Sequence, residues 1–272
     1  MSRTVALFSL AGAPGVTVTA AALAAVWPEP AGAVLVEADA SGGDVAAWHR
    51  LHPSPGVTDL AAATRHRAAD PLDHTQALPG GLPVCAGPAS ADAAQGAVQL
   101  LATNNPALAG EPADGGRPAL VVDLGRLAPR TPTAHLAAHA GEALLVVSDD
   151  LAQLRRAKQS AAGLADTVAR LRVVVAGGSG TTDEIASVLG LPVWSGRIPA
   201  DARSAAFLRG ETPVRRPGRR PLFKAALALA RTVVEPRQAA PAAAHPEAEP
   251  APPQPRAQPY ATRGDRGPDT QP

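Results

Sequence analysis

The chain has 272 residues, 46% of them hydrophobic, and a formal net charge of +1. That is enough to bury one sizeable core, and too balanced for overall charge alone to draw it to nucleic acid or lipid. One cysteine, Cys85, excludes an internal disulfide and suits a reducing cytoplasm; ending the short run Leu82-Pro-Val-Cys-Ala, it reads as a small buried residue. Lysine occurs only at Lys158 and Lys224, so lysine chemistry on a phosphate has almost no candidates. Arg3 and the apolar residues after it could begin a secretory signal, but Gly12-Ala-Pro-Gly15 interrupts the run too early. No stretch approaches the roughly 18 apolar residues of a membrane span.

In chain order, residues 4–10 are an apolar run that meets Gly12-Ala13-Pro14-Gly15 and restarts with the helix formers of 16–26. This predicts a buried strand, a tight turn and a helix N-terminus. In a phosphate-binding loop of that shape, glycines turn successive N–H groups toward an anion and the helix adds its positive end. Such a loop also needs a lysine for the outer phosphates and a Ser/Thr hydroxyl for magnesium. Thr17 is present and the lysine is not; Pro14, without an N–H, removes a further donor.

The loop resembles that of the MinD/ParA (SIMIBI class) P-loop ATPases, which reads Lys-Gly-Gly-x-Gly-Lys-Thr. Aligned on Gly12, Gly15 and Thr17, Ala11 and Val16 stand where that family has its two lysines. The Pro-Gly-Val-Thr form looks especially like actinobacterial MinD-like proteins. The resemblance implies that residues Gly12, Ala13, Pro14, Gly15, Val16, Thr17 and Val18 face the nucleotide, ATP, and that Thr17 serves Mg2+.

The run Ala33-Val-Leu-Val-Glu-Ala-Asp39 predicts a second strand ending in acids, and Ser41-Gly-Gly-Asp44 a turn. The resemblance gives Glu37 and Asp39 the two acidic positions of an Asp-x-Asp signature and makes Asp39 the residue that orients the attacking water. The alternative is a pair of solvated acids capping the turn. Residues 44–51 and 56–67 read as helices in a polar setting; His49, His52, His66 and His74 lack the Cys or carboxylate company of a metal site and read as surface residues. A short strand at 82–86, a helix at 91–101 and a loop at 104–117 follow.

Residues 119–125 are the most regular buried strand, with Asp123 where it leaves the core. In P-loop proteins an aspartate here holds magnesium through water, so the resemblance pairs Asp123 with Thr17. His135 and His139, at helical spacing but without the Glu of a zinc-protease motif, read as surface residues. Residues 142–148 are a further strand, with Asp149 and Asp150 capping a helix to about 169 whose Arg155, Arg156 and Lys158 form a solvated face. Strands at 171–176 and 192–199 alternate with helices at 182–189 and 201–211. The family's Asn after the first of these strands, which helps read adenine, is replaced by Ala176.

A basic run, Arg215-Arg-Pro-Gly-Arg-Arg220, precedes a helix at 222–234 that reads either as the last element packed on the domain or as an amphipathic contact with anionic membrane. Residues 235–272 contain no Leu, Ile, Val, Phe or Met and are dominated by Pro and Ala, so they predict a disordered tail after a 1–234 domain.

These alternations predict an α/β, doubly wound, mostly parallel sheet with helices on both faces and its ligand crevice at the carboxyl ends of the strands. The resemblance spans about residues 3–232 and, through the degenerate loop, comes nearest to CpaE/TadZ-like proteins, which place pilus or secretion machinery. Three functions are consistent with this. The first is a cytoplasmic or membrane-peripheral localisation scaffold for secretion, pilus or division machinery, with weak or absent ATP and Mg2+ binding and an arginine such as Arg126, Arg130 or Arg203 in place of the lysine. The second is an active partition or division ATPase, a homodimer closed around ATP, with no small-molecule substrate beyond the nucleotide. The third is a DNA- or membrane-surface module working through Arg215 to Arg231.

Overall fold

Runs of β-branched and aliphatic residues form the strands because both faces of a parallel sheet are covered, so most positions are apolar, and the buried polar exceptions, Glu37 and Asp123 among them, are few. The computed structural model describes residues 4–11, 14–104, 108 and 116–235; Gly12, Ala13, most of the 105–115 loop and the tail beyond Glu235 lie outside them. Strands β1 (Thr4–Ser9), β2 (Ala33–Glu37), β3 (Gln76–Ala77), β4 (Pro83–Cys85), β5 (Ala119–Arg126), β6 (Glu142–Val147), β7 (Leu171–Ala176) and β8 (Val193–Ile198) form one sheet in the order β3-β4-β2-β5-β1-β6-β7-β8. Every neighbouring pair is parallel except β3 with β4. Strands β1, β2, β6 and β7 are buried along their whole length, and β5 is exposed only at Arg126.

The helices are α1 (Val16–Ala25), α2 (Val45–His49), α3 (Val57–Ala63), α4 (Ala91–Thr103), α5 (Pro132–His139), α6 (Leu151–Thr167), α7 (Thr182–Leu189), α8 (Ala202–Leu208) and α9 (Pro221–Val234). Alternate strand residues feed two separate cores. Ala6 and Phe8 of β1 pack with Leu60 of α3, Val98 of α4, Leu136 of α5, Leu164 of α6 and Ile185 of α7. Val5 and Leu7 pack with Leu23 of α1 and Leu229 of α9. Helix α1 is buried on nearly all sides, from Val16 and Thr19 to Ala24, because it lies between the sheet and α9. Its alanines permit the close approach.

Several boundaries differ from the sequence reading. The hairpin partner β3 is only two residues long and has no periodicity to announce it. Helix α5 starts on Thr131, whose side chain accepts from the Ala134 amide, with Pro132 in the first turn. Helix α6 ends at Thr167 because Val168 is extended, and α8 stops at Leu208, before Gly210 takes a positive φ of 72°. The two acids before α6 separate: Asp150 caps the helix, accepting from the Ala152 and Gln153 amides, whereas Asp149 turns to the loop after β7.

Cys85 is fully buried and burial pushes its thiol up, as expected of a packing residue. No helix among the described residues is long and apolar enough to cross a membrane. In α9 the apolar residues Leu222, Phe223, Ala226, Leu229 and Ala230 all face the core, which removes them from a lipid-facing role. Leu229→Ala should therefore destabilise the protein by about 2–5 kcal/mol in urea unfolding, as core truncations do; unchanged stability would mean that α9 is not part of the core.

Candidate functional site

The turn between β1 and α1 is set by Gly15, whose φ of 86° is left-handed, a conformation that strains any side chain. The helix that follows has no side-chain cap, so its first amides have no acceptor within the helix. They open onto a cleft of about 480 Å³ between the turn, the 39–48 segment and the end of β5. Gly15, Val16, Thr17, Val18 and Asp39 all line it. Pro14 is half-buried beside it, whereas Gly12 and Ala13 lie outside the described residues.

Two acids enter from the sheet. Glu37 of β2 pairs in register with Asp123 of β5, and Leu7 of β1 pairs with Asp123 on its other side. Strand alternation directs both carboxyl groups to the α1 face, where Leu35 and Val121 also point. Their solutions to burial differ. Glu37 accepts from the Asp44 amide (2.7 Å) and the Val45 amide (3.0 Å) at the start of α2, and from the Gly87 amide (2.9 Å). A Cβ on Gly43 would stand 2.4 Å from Glu37 Oε2, and one on Gly87 would stand 2.7 Å from the Glu37 carbonyl oxygen. Glu37 is therefore a buried staple holding α2 and the 87 loop to β2, not a solvated cap; burial raises its pKa although the three amides oppose the shift.

Asp123 is less well provided for. Oδ1 accepts from the Gly125 amide (2.9 Å), Oδ2 is fully buried, and the one side-chain partner of the carboxyl among the described residues is the Thr17 hydroxyl. Burial pushes its pKa up to about 7, the charges of Glu37 and Asp39 add to the rise, and the nearby Thr17 hydroxyl and Gly125 amide oppose it. Asp39 is half-buried at the cleft wall, accepts from the Ser41 amide (2.7 Å) and packs against Gly125. Its pKa is also raised, by burial above all, while the Ser41 amide and the Arg126 charge pull the other way.

The Asp123 carboxyl and the Thr17 hydroxyl that interacts with it are a pair of hard oxygen donors, the kind that magnesium takes. Among the described residues no group of three or more His, Cys, Asp or Glu could hold a metal. A cation at Thr17 and Asp123 would therefore draw its remaining ligands from water and from phosphate oxygens.

Val16, at the position aligned with the family's second lysine, is 6% exposed and packs in the α1-side core while touching the cleft. Of the three candidate arginines, Arg126 lines the cleft, Arg130 lines a separate cavity between α5 and α6, and Arg203 is exposed on α8. Ser9, Ser41, Asp44 and Trp48 also line the cleft, and sequence reasoning did not assign them to it. Only the Ser-Gly-Gly-Asp turn hinted at the 41–44 segment.

At the end of β7, where the base of a nucleotide was expected to be read, Ala176 is followed by Gly177 and Gly178 with φ of 67° and 74°. Asp149 accepts from the Ser179 amide (2.8 Å) and the Gly180 amide (2.9 Å), and Arg197 bonds Asp149 and the Gly177 and Gly180 carbonyls. The Gly180 amide, more than any other contact, holds the Asp149 carboxyl below the usual carboxylate range. His49 is half-buried rather than a plain surface residue, with Nε2 2.9 Å from the Leu208 carbonyl. His135 and His139 are exposed, with their ring centroids 4.2 Å apart and their planes tilted by 43°. Arg215, Arg216 and Arg219 are exposed, whereas Arg220 is bound to Asp201.

No known family model matches this sequence, and no curated protein matches it. Solved structures do. A ParA family ATPase from Chlorobium tepidum TLS is 22% identical over 85% of this chain and 99% of its own, with a TM-score of 0.62. The septum site-determining protein MinD from Pyrococcus horikoshii OT3, complexed with Mg-ADP, is 16% identical over 86% and 97%, with a TM-score of 0.65. A MinC:MinD cell division protein complex from Aquifex aeolicus is 16% identical over 85% and 95%, with a TM-score of 0.57. The fold of this chain is thus the P-loop NTPase fold of the MinD/ParA type.

The buried Asp123 makes the metal-free protein sensitive to pH. Its folded pKa of about 7 lies above the ordinary 3.8, so between these values the folded state holds a proton that the unfolded chain releases. Stability therefore falls as pH rises through that window, and the loss is complete above about pH 7. Asp123→Asn, measured by urea unfolding without divalent cations, should be more stable than wild type by about 2–4 kcal/mol at pH 8 and nearly equal to it at pH 4. Equal stabilities at pH 8 would show that the carboxylate is not held at a disadvantage.

Proposed function

We propose that this chain is a MinD/ParA-type protein that acts as a localisation scaffold for secretion, pilus or division machinery, and that its nucleotide site is degenerate. On this reading residues 1–234 form the functional domain, and Mg-ATP binds weakly at most and is hydrolysed poorly. One observation carries the reading: the cleft keeps Gly15, Thr17 and Asp39 on its walls, with Asp123 fully buried on β5, but the position aligned with the phosphate-binding lysine holds Val16 with its side chain in the core. The cleft bears Asp39 and Asp44 on its walls and Asp123 beneath. An incoming triphosphate therefore meets repulsion that the lysine would have offset.

In this site Thr17 and Asp123 would hold magnesium, which when bound with a nucleotide neutralises phosphate charge. The amides at the start of α1 would receive the phosphates, and Asp39 would orient water beside them. The Pyrococcus horikoshii relative is described with Mg-ADP and the Aquifex aeolicus relative with MinC. By analogy we assign this chain a protein partner, with homodimerisation as a second mode of assembly. The basic residues Arg215, Arg216, Arg219, Lys224 and Arg231, all exposed, offer an anionic partner a surface that does not need the apolar face of α9.

A second reading, an active partition-type ATPase, is favoured by the pairing of Asp123 with the Thr17 hydroxyl, since these are two oxygen donors of the kind magnesium takes. Calorimetric titration with Mg-ATP decides between them. Val16→Lys should bind at least about a hundredfold more tightly than wild type, in line with the effect of one such donor. Tight wild-type binding left unchanged by Val16→Lys, together with turnover that Asp39→Ala abolishes, would establish the ATPase instead.

A further inference from the structure

The turn that would receive phosphate supplies amides but no charge. Among the described residues lining the cleft, one is basic: Arg126. Its place follows from the backbone around it. Gly125 adopts a φ of 58°, and a Cβ there would lie 1.8 Å from Asp39 Oδ2, so the chain passes directly against Asp39 before Arg126 emerges. The Gly125 amide is tied to Asp123 Oδ1 at 2.9 Å, and the Leu127 amide donates to the Ser9 carbonyl at 2.8 Å. Arg126 itself is in register with Ser9, past an irregularity in the β1–β5 ladder. Both flanks of Arg126 are thereby fixed to the end of the strand from which the turn departs.

The side chain is exposed and makes no hydrogen bond or ion pair among the described residues. Two other arginines near the carboxyl ends of the strands are engaged, Arg197 with Asp149 and the 177–180 loop and Arg220 with Asp201, while Arg130 and Arg203 lie outside the cleft. Asp39 already feels the Arg126 charge, which opposes the rise in its pKa.

We propose that Arg126 supplies, from the end of β5, the positive charge that the turn lacks, and that it binds the outer phosphates of a nucleoside di- or triphosphate in this cleft. This rests on the nucleotide reading above and assigns the residual affinity to one side chain. A guanidinium suits the task, since its fork meets two phosphate oxygens at once. Its leash is long, and it approaches from the sheet rather than from the helix start. Phosphate held in this way stays beside Asp39.

The test is calorimetry at matched salt with Mg-ADP and with Mg-bound, non-hydrolysable ATP analogue, using wild type, Arg126→Gln, Arg126→Lys, Val16→Lys and the double variant Val16→Lys/Arg126→Gln. Arg126→Gln should weaken binding by roughly tenfold to a hundredfold, the range of one charge-assisted contact. Arg126→Lys should lie between, and Val16→Lys should restore affinity in the Arg126→Gln background. Thermal unfolding of Arg126→Gln should match wild type, because the side chain is exposed. Wild-type binding that Arg126→Gln leaves unchanged overturns the assignment and leaves the nucleotide reading standing. So does a wild type silent at millimolar nucleotide when Val16→Lys binds. If neither wild type nor Val16→Lys binds, the nucleotide reading falls and the assignment with it.

Discussion

Two carboxylates buried side by side on neighbouring central strands set the terms for this end of the molecule. Glu37 and Asp123 stand in register, both directed to the α1 face, and neither pairs with a cation among the described residues. The acid on β2 is satisfied by backbone alone, two amides from the start of α2 and one from Gly87. That solution requires Gly43 and Gly87 to be without side chains, and it fixes the path of 38–45. Asp39, Ser41, Asp44 and Trp48 reach the cleft as a consequence. The acid on β5 has only the Gly125 amide and the Thr17 hydroxyl, and its pKa is pushed up to about 7. A buried carboxylate so sparsely paired is a standing disadvantage to the fold unless something else binds it.

That disadvantage links cation and anion on the proposed reading. A divalent cation at Asp123 and Thr17 relieves the acid but finds too few protein ligands among the described residues to remain alone. A polyphosphate finds amides and one arginine, but also three carboxylates. Each ligand lacks what the other brings, so their binding is mutually favourable, and the coupling is necessarily the same in both directions. In a loop with its own lysine the anion has a fixed counter-charge and depends less on the cation. Loss of the lysine therefore does more than lower affinity: it shifts the site toward a joint requirement.

Much of the frame was legible because burial on both faces writes a strand as an unbroken apolar run. β1, β2, β5, β6 and β7 all read in that way, and Asp39 and Asp123 stood out as acids where such runs end. The two-residue β3 carries no such signal. Glu37 could not be assigned, since an acid at a strand end has the same sequence whether it faces a ligand or folds back onto three amides. Nor could Arg126 be preferred to Arg130 or Arg203. Its reach depends on the left-handed turn at Gly125 and on the irregular β1–β5 register, both tertiary facts. Asp149 and Asp150 show the same limit: adjacent and chemically identical, one caps α6 and the other crosses to the loop after β7.

The loop after β7 bears on what kind of protein this is. On the proposed reading Ala176 stands where the resemblance expects an amide side chain, and its methyl offers no donor or acceptor to a base edge. The polar groups nearby, Asp149 and Arg197, are spent on holding residues 177–180 in shape. On that reading base discrimination is weak, and recognition falls mainly on the phosphates. A ligand bound weakly through a part common to many metabolites makes a poor timing signal, because it shifts a conformational equilibrium only by its difference in affinity for the two states. On the proposed reading such a chain is better suited to presenting a fixed surface than to switching one, which is the physical ground for proposing a scaffold rather than a clock.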